Sequence, residues 1–600
     1  MENYWESNFK ALSAKKPDLA AALKDVQIPD HYKIEEAKDG SPALVSEEGK
    51  RHFISSAYNP QKQAKNILRP YRFEDRGDVI LFGDSLGYLS QEIFKELNFR
   101  HRFFIVIHDK SLLKIMMTYN NMSSLIYADN VRWLMGEEYK DVLFLAFEQR
   151  PPEYLLTIRN NVVEEMDQRF YDDLSNLIQK ALSTKLCEFY TLYKVGKTFR
   201  ENLIKNIRFI SKHPHVQELN GLLKGRPAVM IAAGPSLDKN IHVLKENQNK
   251  VFIICVSTVL KKVLDYGILP DIVATFDMGQ ASCRYLEGVE TDIPLVVDLE
   301  AHHKILPKYN GPVFLWPPNK PVTKWISKFS KDFTIMQKGS SVSHLIFFVA
   351  ELLECSPLIM VGMDLAFTDN KTHADGANAA WGGQEDLEKA NIQMKAWDGK
   401  SKVNTFSGFL TFIALFEQKI RAYNGKVVDA TEGGAFKEGT ENITLQEAID
   451  TYCSEKFDVK NDLQNLYKNA PRLNNNVLKE QIKLLIDQIN EMQKKCDSSR
   501  DKAHSLIKAA KNNRDIKSIN KSTIDAEKEH LDLLNYPDSN AIAQMALIKL
   551  RLIFITFFID DYKGHDKYLE LGKLYKYNAV ILKEDLKEVK DMMNSILNQI

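Results

Sequence analysis

The 600-residue chain has no excess charge of either sign. It carries 80 Lys and Arg against 80 Asp and Glu, so its formal net charge is zero. A protein that binds nucleic acid generally needs a basic excess to neutralise phosphates, so we expect no nucleic-acid partner. The six cysteines are scattered and include no C-x-x-C pair. We therefore expect reduced thiols, with no disulfide framework and no zinc site.

Long apolar runs are also missing. The most apolar run, at 552–559, is far shorter than the ~20 residues that span a bilayer, and we predict that it belongs to a buried helix. The first residues contain no apolar signal core, so we expect a cytoplasmic protein that does not insert into a membrane.

The chain contains no Asp-x-Asp pair. Many sugar-nucleotide enzymes use such a pair to hold the divalent cation that bridges a diphosphate. Its absence favours either a metal-free site or a donor that carries a single phosphate.

The most informative stretch that is present runs from 225 to 238. Apolar residues 228–232 predict a strand, Gly234-Pro235-Ser236 predicts a tight turn, and a helix is expected from about Asp238. The first N–H groups of a helix and its dipole attract an anion. The stretch therefore predicts a site for a phosphate-bearing ligand.

A second small-residue turn occurs about a hundred residues later. Gly339, Ser340 and Ser341 precede another predicted helix, so they repeat the pattern of the first turn. Two such turns in one sheet strengthen the case for a bound phosphate or nucleotide.

Alternating strands and helices, followed by helical spacing alone, predict an α/β protein. We expect two Rossmann-like units with parallel sheets and a C-terminal helical domain. The predicted domains are an N-terminal α/β domain (1–150), a helical connector (151–224), a central catalytic domain (225–445) and a helical domain (446–600).

In the predicted central unit, Ser257, Asp277 and Asp364 each follow a strand. The carboxyl ends of parallel strands lie at one edge of the sheet, so these residues should converge there. In the N-terminal unit, Gly83-x-x-x-Gly87 with Asp109 further on resembles a dinucleotide or methyl-donor site. It lacks the middle glycine of G-x-G-x-x-G, so a structural role is favoured.

The loop after Asp364 is rich in Asp, Thr and His and poor in aliphatic residues. It contains Thr372, His373 and Asp375, a composition that core packing does not explain, so we predict a functional loop. The tandem His302-His303 matches no metal-ligand pattern, and we predict that both are surface residues.

Four segments together resemble the motility accessory factor (Maf) family. They are 233–238, 271–277, 362–375 and 429–440, and their order and spacing match over about 225–450. The resemblance implies a flagellin glycosyltransferase that moves pseudaminic or legionaminic acid, both nonulosonic acids, from a CMP-activated donor to Ser or Thr of flagellin. It also implies a sialyltransferase-like central domain that needs no metal or other cofactor.

The same resemblance assigns roles to residues. It implies that Gly234, Ser236, Ser340 and Ser341 hold the CMP, and it places Ser257 where sialyltransferases have an asparagine. The further substrate-binding candidates are Pro235, Asp277, Gly339 and Thr372.

Glycosyl transfer needs a base to take the proton of the acceptor hydroxyl. His373 is our prediction for this base. Asp364 and Asp375 are the rival candidates, and either carboxylate could instead stabilise the developing cation.

Two other functions stay open. The central region also resembles archaeal-type hydroxymethylpterin diphosphokinases, which use ATP and Mg²⁺, and Asp277 and Asp364 would then be metal ligands. Alternatively, the protein is a non-enzymatic chaperone that binds flagellin and keeps a vestigial nucleotide pocket.

Overall fold

The computed structural model describes most of the chain, namely residues 2–49, 51–73, 77–98, 101–135, 155–286, 289, 291–330, 333–337, 339, 341–377, 390–453, 458–512, 515–534 and 565–600. Two compact units are present, Met1–Tyr190 and Thr191–Ile600. The apolar run at 552–559 lies outside the described residues. Within the described part, no helix is both long enough and apolar enough to cross a membrane.

The first unit contains a small antiparallel sheet, β1-β2-β3, and a parallel sheet in the order β6-β5-β4-β7. The strands are β1 (Tyr32–Glu36), β2 (Pro42–Ser46), β3 (His52–Phe53), β4 (Gly77–Phe82), β5 (His101–Ile107), β6 (Val131–Met135) and β7 (Leu155–Arg159). The helices are α1 (Trp5–Lys15), α2 (Pro17–Lys24), α3 (Pro60–Leu68), α4 (Tyr88–Glu96), α5 (Lys110–Tyr119), α6 (Ser123–Tyr127), α7 (Asn161–Met166) and α8 (Gln168–Asn206), which continues into the second unit.

The chain order of the first parallel sheet reverses beside β4. Strands β5 and β6 lie on one side of β4, whereas β7 pairs with its other side. Every residue of β4 is buried, as expected for a central parallel strand. A strand predicted at 142–146 lies outside the described residues, and β7 falls within the predicted connector.

The second unit is built on an eight-stranded parallel sheet in the order β12-β11-β10-β9-β8-β13-β16-β17. Its strands are β8 (Ala228–Ile231), β9 (Phe252–Val256), β10 (Ile272–Thr275), β11 (Leu295–Asp298), β12 (Val313–Trp316), β13 (Leu358–Val361), β16 (Val427–Asp429) and β17 (Glu441–Asn442). Strands β14 (Ile392–Lys395) and β15 (Lys402–Thr405) form a separate antiparallel pair.

Helices flank and follow this sheet. They are α9 (Leu237–Asn247), α10 (Leu260–Asp265), α11 (Cys283–Leu286), α12 (Pro321–Ser327), α13 (Val342–Leu352), α14 (Ser407–Ala422), α15 (Leu445–Tyr452), α16 (Lys460–Asn469), α17 (Asn475–Lys511), α18 (Ile516–Leu534) and α19 (His565–Leu597).

The arrangement of the central sheet fixes where a ligand should bind. β8 comes first in the chain, β9 to β12 extend the sheet on one side of it, and β13 pairs with its other side. The topological switch point therefore lies between β8 and β13, and ligands of open α/β sheets bind at the carboxyl ends of the strands there.

The C-terminal part is helical, as predicted. Helices α17 and α19 pack along each other, with α18 against them. On α17, Ile482, Leu485, Ile489 and Met492 are buried, which matches the helical spacing read from the sequence. The α/β class with two parallel sheets and a helical region is thus confirmed, whereas the domain boundaries at 150, 224 and 445 stay predictions.

Candidate active site at the switch point of the central sheet

The first predicted turn lies at the switch point. The Gly234 N–H donates to the Gly362 carbonyl at 2.7 Å, so the turn after β8 joins the end of β13. A Cβ at Gly234 would lie 2.0 Å from Asp364 Oδ1 and 2.5 Å from that carbonyl, which leaves no room for a side chain. The glycine is therefore required by close packing between the two strand ends.

The Asp364 carboxylate binds the polar groups of this turn. Its carboxylate accepts hydrogen bonds from the Ser236 hydroxyl at 2.6 Å, from the Ser236 N–H at 3.2 and 3.3 Å, and from the Thr368 hydroxyl at 2.5 Å. Asp364 is 2% exposed and Ser236 is fully buried. Burial raises the pKa of Asp364, while the hydrogen bonds from Ser236 and Thr368 and the charge of Lys437 oppose that rise.

The segment that follows β16 packs against Asp364. A Cβ at Gly434, whose φ is +77°, would come within 2.3 Å of the Asp364 backbone, and one at Gly433 would lie 3.0 Å from the Ser236 Cβ. Close by, the fully buried Lys437 ammonium pairs with Asp429 at 2.8 Å. These contacts pack the segment after β16 against the ends of β8 and β13.

The loop that follows Asp364 is fastened beside the same turn. The Ala374 N–H donates to the Ala233 carbonyl at 2.9 Å. The buried Lys262 ammonium bonds Asp238 Oδ1 at 2.5 Å and the Asp375 carbonyl at 2.6 Å. The Asp375 N–H in turn donates to Asp238 Oδ2 at 3.0 Å. We name this arrangement of Asp238, Lys262 and Asp375 the loop clamp.

Three candidate residues lie on the clamped loop. Thr372 and His373 are half-buried. The Asp375 side chain is 73% exposed and pairs with Lys371 at 2.9 Å, and hydrogen bonding from Lys371 lowers the pKa of Asp375. The structure thus brings together Gly234, Pro235 and Ser236 with Asp364 and the loop.

Ser257 and Asp277 follow the next two strands along the sheet. Ser257 is 2% exposed, and its hydroxyl donates to Thr275 Oγ1 at 3.0 Å. Asp277 Oδ1 accepts the Gly279 N–H at 3.0 Å, and its carbonyl accepts the His302 N–H at 3.1 Å. Both residues therefore lie at the predicted sheet edge, on the β9 and β10 side of the turn.

The prediction that His302 is a surface residue is wrong. His302 is 8% exposed, and its Nδ1 lies 3.1 Å from Cys283 Sγ. It stacks on His303, which is half-buried, with ring centroids 4.7 Å apart. No local sequence pattern shows that Cys283, at the start of α11, packs against the His302 ring.

The second small-residue turn begins α13. A Cβ at Gly339 would lie 2.2 Å from the His344 Cβ, so glycine is again needed for close packing. The Ser341 hydroxyl lies 2.6 Å from the Ser343 hydroxyl and 3.0 Å from His344 Nδ1. Burial lowers the pKa of His344 to about 4, so the ring is neutral and can accept the Ser341 N–H. Ser340 lies outside the described residues.

Sequence reasoning missed several residues that shape the site. Thr368, Gly433, Gly434 and Lys262 were not singled out, although 429–440 was part of the resemblance. A glycine pair after a strand is a signal for close backbone approach. A lysine within a helix carries no comparable signal, because most such lysines are solvated.

Metal binding can be judged only on the described residues. Among them, no group of three or more His, Cys, Asp or Glu side chains is placed to hold a metal ion. Asp364, a metal ligand in the diphosphokinase hypothesis, directs both carboxylate oxygens to Ser236 and Thr368. This buried, hydrogen-bonded carboxylate does not fit a Mg²⁺ ligand, which would need an oxygen open to the cation.

Comparison with known proteins agrees with the fold. A family model described as 6-hydroxymethylpterin diphosphokinase MptE-like matches residues 201–370. An uncharacterized protein of Treponema pallidum (strain Nichols) is 22% identical over 253 residues, which cover 40% of this chain and 85% of that protein.

Among solved structures, the Maf glycosyltransferase from Magnetospirillum magneticum AMB-1 matches with a TM-score of 0.64 at 14% identity. The match covers 99% of this chain and 97% of that one. The chain therefore has a Maf-like fold that includes an MptE-like domain, which confirms the resemblance predicted from the sequence.

Proposed function

We propose that the protein is a glycosyltransferase that moves a nonulosonic acid of the pseudaminic or legionaminic type from a CMP donor to Ser or Thr of flagellin, in the cytoplasm. The observation that carries this proposal is the likeness to a Maf glycosyltransferase over 99% of the chain. The candidate site at the switch point supports it, since nucleotide ligands of such sheets bind there.

We place the phosphate of the donor at the start of α13. This helix has 11 residues and leads into the amino end of β13, so its own N-terminus lies at the carboxyl edge of the sheet. Ser341 and Ser343 are half-buried there and can donate to phosphate oxygens. Their hydroxyls and the helix dipole would stabilise the charge that develops on departing CMP.

The first turn has a different role in this proposal. Because the Ser236 N–H and hydroxyl are bonded to Asp364, they hold the ends of β8 and β13 together. Asp364 is then a positioning residue that fixes the start of the functional loop, and Gly234 and Pro235 form the wall beside the donor.

The transfer step follows the usual course of glycosyl transfer. The bond from the anomeric carbon to the phosphate oxygen breaks, and its electrons leave with CMP. The acceptor hydroxyl oxygen bonds to the anomeric carbon and gives its proton to a base, which we assign to His373. Asp375 is a weaker candidate, because its pairing with Lys371 lowers the pKa of its carboxyl group.

A second candidate function is a pterin diphosphokinase, which the MptE-like match over 201–370 favours. It would need ATP and Mg²⁺, and the buried Asp364 carboxylate opposes it. Nucleotide binding by the full chain separates the candidates, measured as the shift in Tm with CMP, ATP, and ATP plus Mg²⁺. We expect CMP to raise the Tm. A rise with ATP that occurs only when Mg²⁺ is present would overturn the glycosyltransferase proposal, and no response to any nucleotide would favour a flagellin-binding chaperone.

The base assignment has its own test. His373→Ala should keep CMP binding and lose transfer to flagellin by about 10²–10⁴-fold, the usual contribution of a general base. His242→Ala, an exposed histidine on α9, is the matched control and should transfer normally. Unchanged transfer by His373→Ala would reassign the base.

A further inference from the structure

A cavity of about 390 Å³ lies within the N-terminal unit. It opens where residues that follow β5 meet residues of α7 and the start of α8, so it lies at the carboxyl edge of the first parallel sheet. The chain order of that sheet reverses between β4 and β7. The cavity thus occupies the place where ligands of open α/β sheets bind, and its volume is in the range of small-molecule sites.

The glycine turn after β4 helps to form this cavity. Gly83 has a φ of +73°, and a Cβ there would lie 2.6 Å from Val163 Cγ1 and 3.0 Å from the Tyr171 hydroxyl. Val163 and Tyr171 both line the cavity. A side chain at 83 would therefore displace Val163 and Tyr171 and change the shape of the cavity. Glycine is thus needed at 83 for this wall as well as for the turn.

The same turn has no place for a phosphate. The buried Asp84 carboxylate accepts the N–H groups of Ser85 at 2.8 Å, Gly87 at 3.3 Å and Ser90 at 2.8 Å. It also accepts the Ser90 hydroxyl at 2.5 Å. The start of α4, where a dinucleotide would bind its diphosphate, is already occupied by a carboxylate of the chain.

The lining of the cavity accepts hydrogen bonds. Asp109 and Asp167 contribute carboxylates, and Glu48 contributes a third. His108 Nδ1 hydrogen-bonds Asp167 Oδ2, so the Asp167 carboxylate fixes this ring at the wall of the cavity. The His108 ring is held in place by stacking on Phe170, with centroids 4.0 Å apart and planes at 11°. Three histidines, His31, His52 and His108, also line the cavity, and among the described lining residues there is no lysine or arginine.

Asp109 stands where a ribose acceptor would be expected. It comes two residues after the second strand of the sheet, β5, and the Tyr32 hydroxyl donates to its Oδ2 at 2.8 Å. Its Oδ1 accepts the Ser111 N–H at 2.7 Å, so a ribose hydroxyl would use the remaining lone pairs of the carboxylate. In dinucleotide-binding folds, an acid at this position accepts a ribose hydroxyl. Leu112, Val163 and Met166 give the cavity an apolar wall against which a planar base can pack.

We propose that this cavity binds a neutral or cationic nucleoside by its ribose hydroxyls and excludes nucleotides that carry phosphate. The acceptors select hydroxyl and amino donors, the apolar wall takes the base, and the carboxylates repel an anion. The Gly83-x-x-x-Gly87 turn with Asp109 is then a ligand site, in place of the structural role that the sequence favoured.

Calorimetric titration of the full-length protein with adenosine tests the proposal. We expect saturable binding, at least about tenfold weaker binding of 2′-deoxyadenosine because a hydroxyl–carboxylate bond is lost, and weaker binding of AMP. Free ribose should not bind at the same concentrations, since it cannot use the apolar wall. If ribose binds as well as adenosine does, the ligand class is a sugar and the nucleoside assignment is wrong.

Three variants locate the binding. Met166→Trp should fill the cavity and abolish adenosine binding, and Asp167→Asn should weaken it about tenfold or more. Asp129→Asn is the matched control, because Asp129 is an exposed acid that precedes β6 and so lies at the opposite edge of the same sheet. Circular dichroism and Tm without ligand confirm that each variant is folded.

Besides tight binding of ribose, three results would overturn the proposal. The first is that wild-type protein does not bind adenosine at millimolar concentration. The second is that Met166→Trp and Asp167→Asn bind it as tightly as Asp129→Asn does. The third is that AMP binds as tightly as adenosine and that Met166→Trp abolishes this binding. The CMP response of the central site provides a separate readout, so failure here leaves the glycosyltransferase proposal standing.

Discussion

Asp84 and Asp364 make equivalent hydrogen bonds in the two units. Each is buried, and each directs its carboxylate to N–H and hydroxyl groups of a small-residue turn that precedes a helix. Such a turn attracts anions through its N–H groups and the helix dipole. In both units, a carboxylate of the chain satisfies that attraction, so the turn stabilises the sheet edge and the ligand must be held by neighbouring residues.

His344 makes the stability of the central unit depend on pH. Burial lowers its pKa from 6.5 to about 4, so between these values the unfolded chain binds a proton that the folded chain does not. Stability should therefore fall as the pH falls from 6.5 towards 4. We expect Tm to drop over this range. His344→Gln should make the drop smaller, because it removes up to one of the protons that the unfolded chain binds in excess of the folded chain.

The control for this experiment is His242→Gln, which changes an exposed histidine on α9. Its pH dependence should match that of the wild type, to which His213 and His215 also contribute because burial lowers the pKa of each to about 4. If the slope of Tm against pH is the same in His344→Gln as in the wild type and in His242→Gln, the neutral His344 has no part in the acid sensitivity.

At the scale of elements, the loop clamp holds the functional loop beside the first turn. The loop clamp joins the start of α9 to the loop through the Lys262 ammonium, which is 6% exposed. One ammonium bonds a carboxylate and a backbone carbonyl at once, so its loss leaves only the Asp375 N–H bond to Asp238 in the clamp. A loop that carries a catalytic group must be positioned closely, since small displacements of such groups lower rates strongly.

Lys262→Met should weaken the attachment of the loop while the sheet stays folded. We expect faster tryptic cleavage after Lys371, which lies on the clamped loop, and a lower kcat for transfer with little change in CMP affinity. Lys261→Met is the control, since Lys261 is the exposed neighbour of Lys262 on the same helix and takes no part in the clamp. Equal cleavage rates in the two variants would show that other contacts hold the loop.

At the scale of the whole chain, the helical tail is tied to the helix that enters the second unit. Arg200 on α8 is 4% exposed and bonds Glu588 on α19 at 2.8 Å, with Asp585 3.5 Å away. Lys197, one turn earlier, bonds the same Glu588 at 3.2 Å but is largely exposed. Substituting Arg200 and Lys197 in turn therefore compares a buried cation with an exposed one that pairs with the same carboxylate.

Arg200→Met should destabilise the protein by about 3 kcal/mol, because it removes the buried cation beside the buried Asp585 carboxylate, while Glu588 keeps its bond to Lys197. Lys197→Met should cost at most about 1 kcal/mol, as is usual for an exposed pair. Urea unfolding followed by circular dichroism measures both changes. Similar losses for the two variants would mean that burial of Arg200 adds nothing to the pair.

The sequence alone determined the class of the fold and the positions of the key turns. Alternating apolar strands and helices predicted two parallel sheets, and helical spacing at Ile482, Leu485 and Ile489 predicted the tail, because these patterns depend only on neighbours along the chain. The resemblance around Gly234 and Asp364 predicted where the site lies, and the comparison of whole structures agrees with the predicted fold.

Only the tertiary structure decided what each turn does. Asp364 lies 128 residues after Ser236, and no local pattern shows that its carboxylate occupies the turn. Lys262 meets the Asp375 carbonyl across 113 residues for the same reason. Hydrogen-bond partners far apart in the chain are set by strand order, which brings β8 beside β13, and the sequence pattern alone does not encode that order.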